Sequence, residues 1–155
     1  MKTNRSSARL NATQAIYEYS FGDKKIEQIV DEFLTNQIGQ QVLLENEDLE
    51  TEEFLPILPA DKELFISIMD CFSEKQNEIE ELIDNSFTDN WSKNRTEATL
   101  KAILQAGTAE LMAFNDKQTP TPIVIKEYIE LAASFYSGVE IKVVNGVLDN
   151  VAKLV

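Results

Sequence analysis

The chain has 155 residues, 43% apolar and 26% charged, and this length and balance predict a single globular domain. It contains no histidine and one cysteine, Cys71, which excludes Ser-His-Asp and Cys-His nucleophile systems, histidine-ligated metal motifs and an intrachain disulfide. Acidic residues outnumber basic ones by 27 to 14, for a net charge of -13, and a charge of this sign repels nucleic acids and anionic membranes unless the basic residues are clustered.

The first predicted helix spans Arg5 to Phe21, because small and apolar residues recur every three or four positions before Gly22. It carries Arg5 and Arg9, and residues 1–17 contain no acid. The same spacing predicts a second helix from Lys25 to Ile38. The stretch after it, about residues 40–60, contains six acids and no base between positions 45 and 53, which is typical of a solvated loop.

A long apolar stripe begins at Asp61 and continues past Ile79 to Ile83. A single straight helix of about 26 residues would span roughly 39 Å, more than the width of such a domain, so we expect a break near Ser73 to Gln76. Cys71 lies beside the stripe and is predicted to be a core residue rather than a reactive thiol. The acids on the far side, such as Glu78 and Asp84, are expected to form a solvated face rather than a metal site.

The predicted central helix runs from Leu100 to Phe114, and Gly107 falls on its apolar stripe. Glycine costs about 1 kcal/mol in helix propensity, so we expect another helix to approach closely at this position. Trp91 precedes this helix and is expected to be a packing anchor rather than a base-stacking platform. The next helix is predicted to begin with Thr121 as N-cap and Pro122 at its first position.

The last segment carries two conflicting signals. Asn145-Gly146 lies between apolar pairs and favours a β-hairpin. However, Val144, Val147, Leu148, Val151 and Leu154 fit a helix, and strand alternation fails at Asp149. We therefore predict a helix here, and with it an all-α domain of six or seven helices. The lack of an apolar signal-peptide segment or membrane-span run predicts a cytoplasmic protein.

Three separated stretches resemble the bacterial NusB family. They are Arg5-Ser-Ser-Ala-Arg9-Leu-Asn-Ala12-Thr-Gln14-Ala15-Ile16-Tyr17, then Lys101-Ala-Ile-Leu104 with Glu110-Leu111, and finally Ile129-Glu-Leu-Ala132, Ser134-Phe135 and Val144-Asn-Gly-Val-Leu-Asp149. The resemblance implies two packed small helical bundles, about residues 1–88 and 89–155, in a transcription antitermination factor that has no enzymatic activity and no cofactor or metal.

The resemblance also implies partners and a binding surface. The expected partners are boxA-type single-stranded RNA, the ribosomal protein NusE and the transcription elongation complex, with no membrane. The family's RNA-binding positions match Lys2, Arg5, Arg9, Gln14, Phe135 and Lys142, and Tyr17 matches a position that faces NusE. Two points stay open: whether the protein is a monomer or a homodimer, and whether Asn145 has a contact or capping role.

The residues support the RNA surface in one respect. Arginines in the first turns of a helix oppose its dipole, and a bound anion such as RNA phosphate would offset this cost of about 0.3–1 kcal/mol. The alternative for Arg5 and Arg9 is a solvated basic face. At the level of function, the alternative is a helical protein-interaction module in which RNA binding is weakened or lost, because Ser6 and Ser7 interrupt the arginines and the net charge is -13.

Overall fold

The computed structural model describes residues 4–38, 60–87, 91, 96–113 and 119–155, and every regular element within them is helical. The all-α prediction is therefore confirmed. These described residues form seven helices: α1 (Asn4–Tyr19), α2 (Ile26–Glu32, continued as a π-helix over Phe33–Ile38), α3 (Lys62–Glu74), α4 (Gln76–Asp84), α5 (Ala98–Ala113), α6 (Thr121–Ala133) and α7 (Val139–Leu154).

Local chemistry sets the ends of α1 and α3. Gly22 has φ +81°, a conformation that glycine adopts without a steric cost, and its N–H donates to the carbonyl of Tyr19 after the last turn of α1. The Asp61 carboxylate accepts from the backbone N–H of Leu64 at 3.1 Å and caps α3. The helical conformation is interrupted at Lys75, between α3 and α4, which confirms the predicted break.

Helix α5 is the central element of the core. It contacts α1, α3, α4, α6 and α7, and Leu100, Ile103 and Leu104 on it are fully buried. A methyl group placed on Gly107 would lie 2.9 Å from Cδ1 of Leu148 on α7. The predicted close approach at Gly107 is therefore confirmed, and α7 is the helix that makes it.

The C-terminal segment is helical, not a hairpin. Val144, Val147, Leu148 and Val151 are all buried along one side of α7. The 3.6-residue repeat continues through Asn145-Gly146, so the helix buries a continuous apolar face that a hairpin would interrupt.

One predicted helix start needs correction. The N-cap of α6 is Pro120, and Thr121 is the first helical residue. The reason is that the carbonyl of Pro120 already accepts from the N–H groups of Ile123 and Val124, which begins the helix one residue earlier than predicted.

Two single residues behave as expected from the sequence. Cys71 is buried in the core, and Trp91 packs against the core while its indole N–H donates to Thr96 Oγ1 at 3.0 Å. None of the described helices combines the length and apolar character needed to span a membrane. Most of the acidic stretch predicted to be a loop lies outside the described residues, and the bundle boundary near residue 88 stays a prediction.

Candidate nucleic-acid interface

Arg9 lies inside the protein rather than on its surface. It is 4% exposed, and its guanidinium binds the carboxylate of Glu110 on α5 through Nε–H to Oε1 at 2.9 Å and Nη2–H to Oε2 at 2.8 Å. Glu110 is fully buried and also accepts from the hydroxyl of Tyr128 on α6 at 2.8 Å. This buried network joins α1, α5 and α6.

The network sets the protonation of Arg9 and of Tyr128. Burial alone would lower the pKa of Arg9, but the hydrogen bonds and charge of Glu110 outweigh this effect and raise it. Burial, followed by the charge of Glu110, raises the pKa of Tyr128 well above its usual value. Arg9 is therefore a permanent cation paired with a carboxylate, and Tyr128 is a neutral hydrogen-bond donor.

Arg5 is also paired within the fold. Its guanidinium lies 3.1 Å from Asp61 Oδ2 and 2.9 Å from Thr119 Oγ1, and it is partly exposed. These contacts tie the start of α1 to the start of α3 and to the segment before α6. The Arg5 side chain keeps an exposed edge.

The structure corrects the premise that Arg5 and Arg9 form an unpaired basic stripe. Carboxylates of the protein itself supply the anions that offset the helix dipole, namely Asp61 for Arg5 and Glu110 for Arg9. Arg9 is only 4% exposed and donates two hydrogen bonds to Glu110, so little of its guanidinium is accessible to RNA phosphate. The sequence could not show this, since Glu110 lies 101 residues further along the chain.

Three of the predicted binding residues line one groove. The groove lies between α1 and α6 and has a volume of about 370 Å³, and Arg9, Gln14 and Phe135 all line it. Gln14 is exposed, and Phe135 is 50% exposed at the end of α6. An exposed aromatic ring beside an amide is a surface on which an unpaired base can stack and form hydrogen bonds.

The other predicted residues lie apart from this groove. Lys142 and Asn145 are exposed on α7 but do not line the groove. Lys2 lies outside the described residues. The structure thus brings Arg9, Gln14 and Phe135 to one groove, with Arg9 only 4% exposed, and leaves Lys142 as an accessible cation on the neighbouring helix.

An exposed aromatic pair marks the far end of α1. Tyr17 is 39% exposed and Phe21 is 59% exposed, and their rings meet edge to face with centroids 5.0 Å apart. Tyr17 was predicted to face a partner, whereas Phe21 was missed. Their i, i+4 spacing just before Gly22 was the available signal.

Metal binding has no support in the part of the chain that the structure describes, where no group of three or more acidic or cysteine side chains is placed to hold an ion. The candidate site consists of an aromatic ring, amides, hydroxyls and charged side chains.

The sequence model of the NusB family matches residues 6–153. The chain belongs to the NusB family. Relatives named transcription antitermination protein NusB include those of Rhodospirillum rubrum, 36% identical over 96% of this chain and 82% of the relative, and Allorhizobium ampelinum, 38% identical over 97% and 87%. The solved structure of T. maritima NusB is similar, with a TM-score of 0.71 and 28% identity over 99% of this chain and 93% of that one.

Proposed function

We propose that this NusB-family chain is a transcription antitermination factor that binds boxA-type single-stranded RNA together with NusE and supports ribosomal RNA transcription. The observation that carries the proposal is the family match over residues 6–153, with relatives named for antitermination. The protein acts by binding rather than catalysis, in the cytoplasm and as part of the transcription elongation complex.

The RNA face that we propose is centred on the α1–α6 groove. Phe135 offers a ring on which a base stacks, and Gln14 offers an amide donor and acceptor to the base edge. Lys142 and Lys2 supply phosphate contacts, and the exposed edge of Arg5 adds a third. Arg9 acts indirectly, because it holds α1 against α5 and α6.

NusE docks at the opposite end of α1 in this proposal. The Tyr17–Phe21 pair is an exposed apolar anchor of the kind enriched at protein interfaces. The net charge of -13 attracts a basic ribosomal protein, which then brings positive potential to the RNA. RNA affinity is therefore expected to depend on NusE.

Fluorescence anisotropy of a boxA-like RNA, with and without NusE, tests the proposal. Phe135→Ala and Lys142→Ala should each weaken binding, and Lys142→Ala should also reduce the salt slope by about 0.7, as expected for one lost phosphate contact on a single strand. Lys153→Ala is a matched control, because this exposed lysine lies about three turns away on the same helix.

Arg9 is left unchanged in this test, because its loss would disturb the core. Equal RNA affinity with and without NusE would contradict the proposed dependence on the partner. Unchanged binding by both Phe135→Ala and Lys142→Ala would contradict the location of the face.

A second candidate function is a protein-interaction module in which RNA binding has been lost. One observation favours it, namely that Arg5 and Arg9 are both paired with carboxylates inside the fold. NusE binding through Tyr17 and Phe21 without any RNA binding, in the same titration, would select this function.

A further inference from the structure

The α1–α6 groove has an unexpected charge for a surface that binds RNA. Arg9 is the single cation among the described residues that line it, and its charge is neutralised by Glu110. The carboxylates of Glu127 and Glu130 line the same groove. A phosphate group placed here would be repelled, so an RNA strand that crosses the groove must turn its bases towards it.

The two carboxylates differ in what they can still accept. Oε1 of Glu127 already accepts from Ser6 Oγ at 2.8 Å and from Arg9 Nη1 at 3.3 Å. Glu130 is exposed on α6, one turn after Glu127, and its carboxylate has no hydrogen bond or ion pair with another described residue. Glu130 therefore has two oxygens available for a ligand.

We propose that Glu130 determines base specificity on this face by selecting guanine, held against the ring of Phe135. The inference rests on the proposed function, since it needs RNA at this groove. The groove volume of about 370 Å³ falls in the range of roughly 300–1,000 Å³ found for small-ligand pockets, which is ample for one base.

The match to guanine follows from donor geometry. A carboxylate accepts hydrogen bonds and donates none, and its two oxygens bind paired donors in parallel. Guanine presents N1–H and an exocyclic N2–H side by side on its Watson–Crick edge, whereas cytosine and adenine present one amino group beside an acceptor. Uracil presents a single N–H between two carbonyl oxygens, which the carboxylate repels.

Competition among short RNAs tests the proposal, with the intact protein and NusE both present. The probes are oligouridines with a single guanosine moved through successive positions, and the same set with inosine, which keeps N1–H but lacks the exocyclic amine. We expect the best guanosine probe to bind about tenfold more tightly than oligouridine, as a bidentate base contact predicts, and inosine to lose most of that preference.

Glu130→Gln separates the contact from general electrostatics. This exposed substitution should reduce the preference for guanosine to about twofold or less, because an amide offers one acceptor where the carboxylate offers two. Glu78→Gln removes the same charge from an exposed position on α4 and should keep the full preference.

Four results would overturn the inference. If Glu130→Gln strengthens guanosine and uridine probes equally, Glu130 merely repels phosphate. If it weakens NusE binding and leaves RNA selectivity unchanged, the groove takes a basic side chain of the partner protein. If a boxA-like RNA itself fails to bind, the proposed function fails too, whereas binding of that RNA without guanosine selectivity refutes the Glu130 inference alone.

Discussion

Substituting Arg9 by methionine should destabilise the protein strongly. The change removes the guanidinium and leaves the fully buried Glu110 carboxylate with the Tyr128 hydroxyl as its remaining partner. Removing one member of a buried ion pair costs about 3–5 kcal/mol. Since a domain of this kind is stabilised by about 5–15 kcal/mol in total, Arg9→Met should remove a large fraction of its stability.

The triple variant Arg9→Met, Glu110→Leu, Tyr128→Phe should recover most of this loss. It removes the buried charges and the hydroxyl together and keeps similar side-chain volumes, and apolar replacement of a buried ion pair is often neutral or stabilising. Urea unfolding followed by far-UV circular dichroism measures the free energy of unfolding for all three proteins. The salt dependence of RNA binding by the triple variant should match that of the wild type, because Arg9 makes no phosphate contact in our account.

Either of two outcomes would refute this reasoning. The first is a loss of less than about 1 kcal/mol for Arg9→Met, which is the range of an exposed ion pair rather than a buried one. The second is a folded triple variant whose salt slope falls by about 0.7, since that would place Arg9 on an RNA phosphate.

Three further predictions concern the fold. Gly107→Ala should lower the free energy of unfolding by up to about 2 kcal/mol, because overpacking against Leu148 at 2.9 Å outweighs the roughly 1 kcal/mol gained in helix propensity. In a Leu148→Ala background the same substitution should be stabilising, and thermal unfolding measures both effects. Because the pKa of Tyr128 is raised in the fold, the unfolded chain loses this proton first as pH rises past about 10, so the free energy of unfolding should fall there and Tyr128→Phe should reduce the decline. Gly22→Ala should lower the free energy of unfolding by about 1–2 kcal/mol, since φ is +81°; an unchanged urea midpoint would argue against that strain.

The helices could be predicted from the sequence because their signals are local. The apolar repeat that defines α5 and α7 is complete within a few turns, and in α7 it outweighs the Asn145-Gly146 turn signal. The wrong prediction of Thr121 as N-cap is also local in origin, because Pro120 caps α6 through its backbone carbonyl and without a side-chain hydrogen bond. Helix starts are set by one or two hydrogen bonds, and a pattern of side chains places them less well than it places the helix itself.

The site could be predicted only in part, because its electrostatics depend on pairs that are distant along the chain. Arg5 and Arg9 looked like a basic face, but Asp61 and Glu110 lie 56 and 101 residues away and neutralise them. The family resemblance brought Gln14 and Phe135 forward, and they do share a groove. It gave no role to the carboxylates beside them, although Glu130 lies within a matched stretch, because charge within a groove depends on which side chains are already paired.

Hydrogen–deuterium exchange of the complex with NusE, with and without boxA-like RNA, tests the central claim most directly. Our account predicts that RNA slows exchange in the first half of α1, around Phe135 at the end of α6 and in the first turns of α7, while α3 and α4 are unaffected. Protection confined to α3 and α4, or no protection by RNA in a complex that still contains NusE, would contradict it.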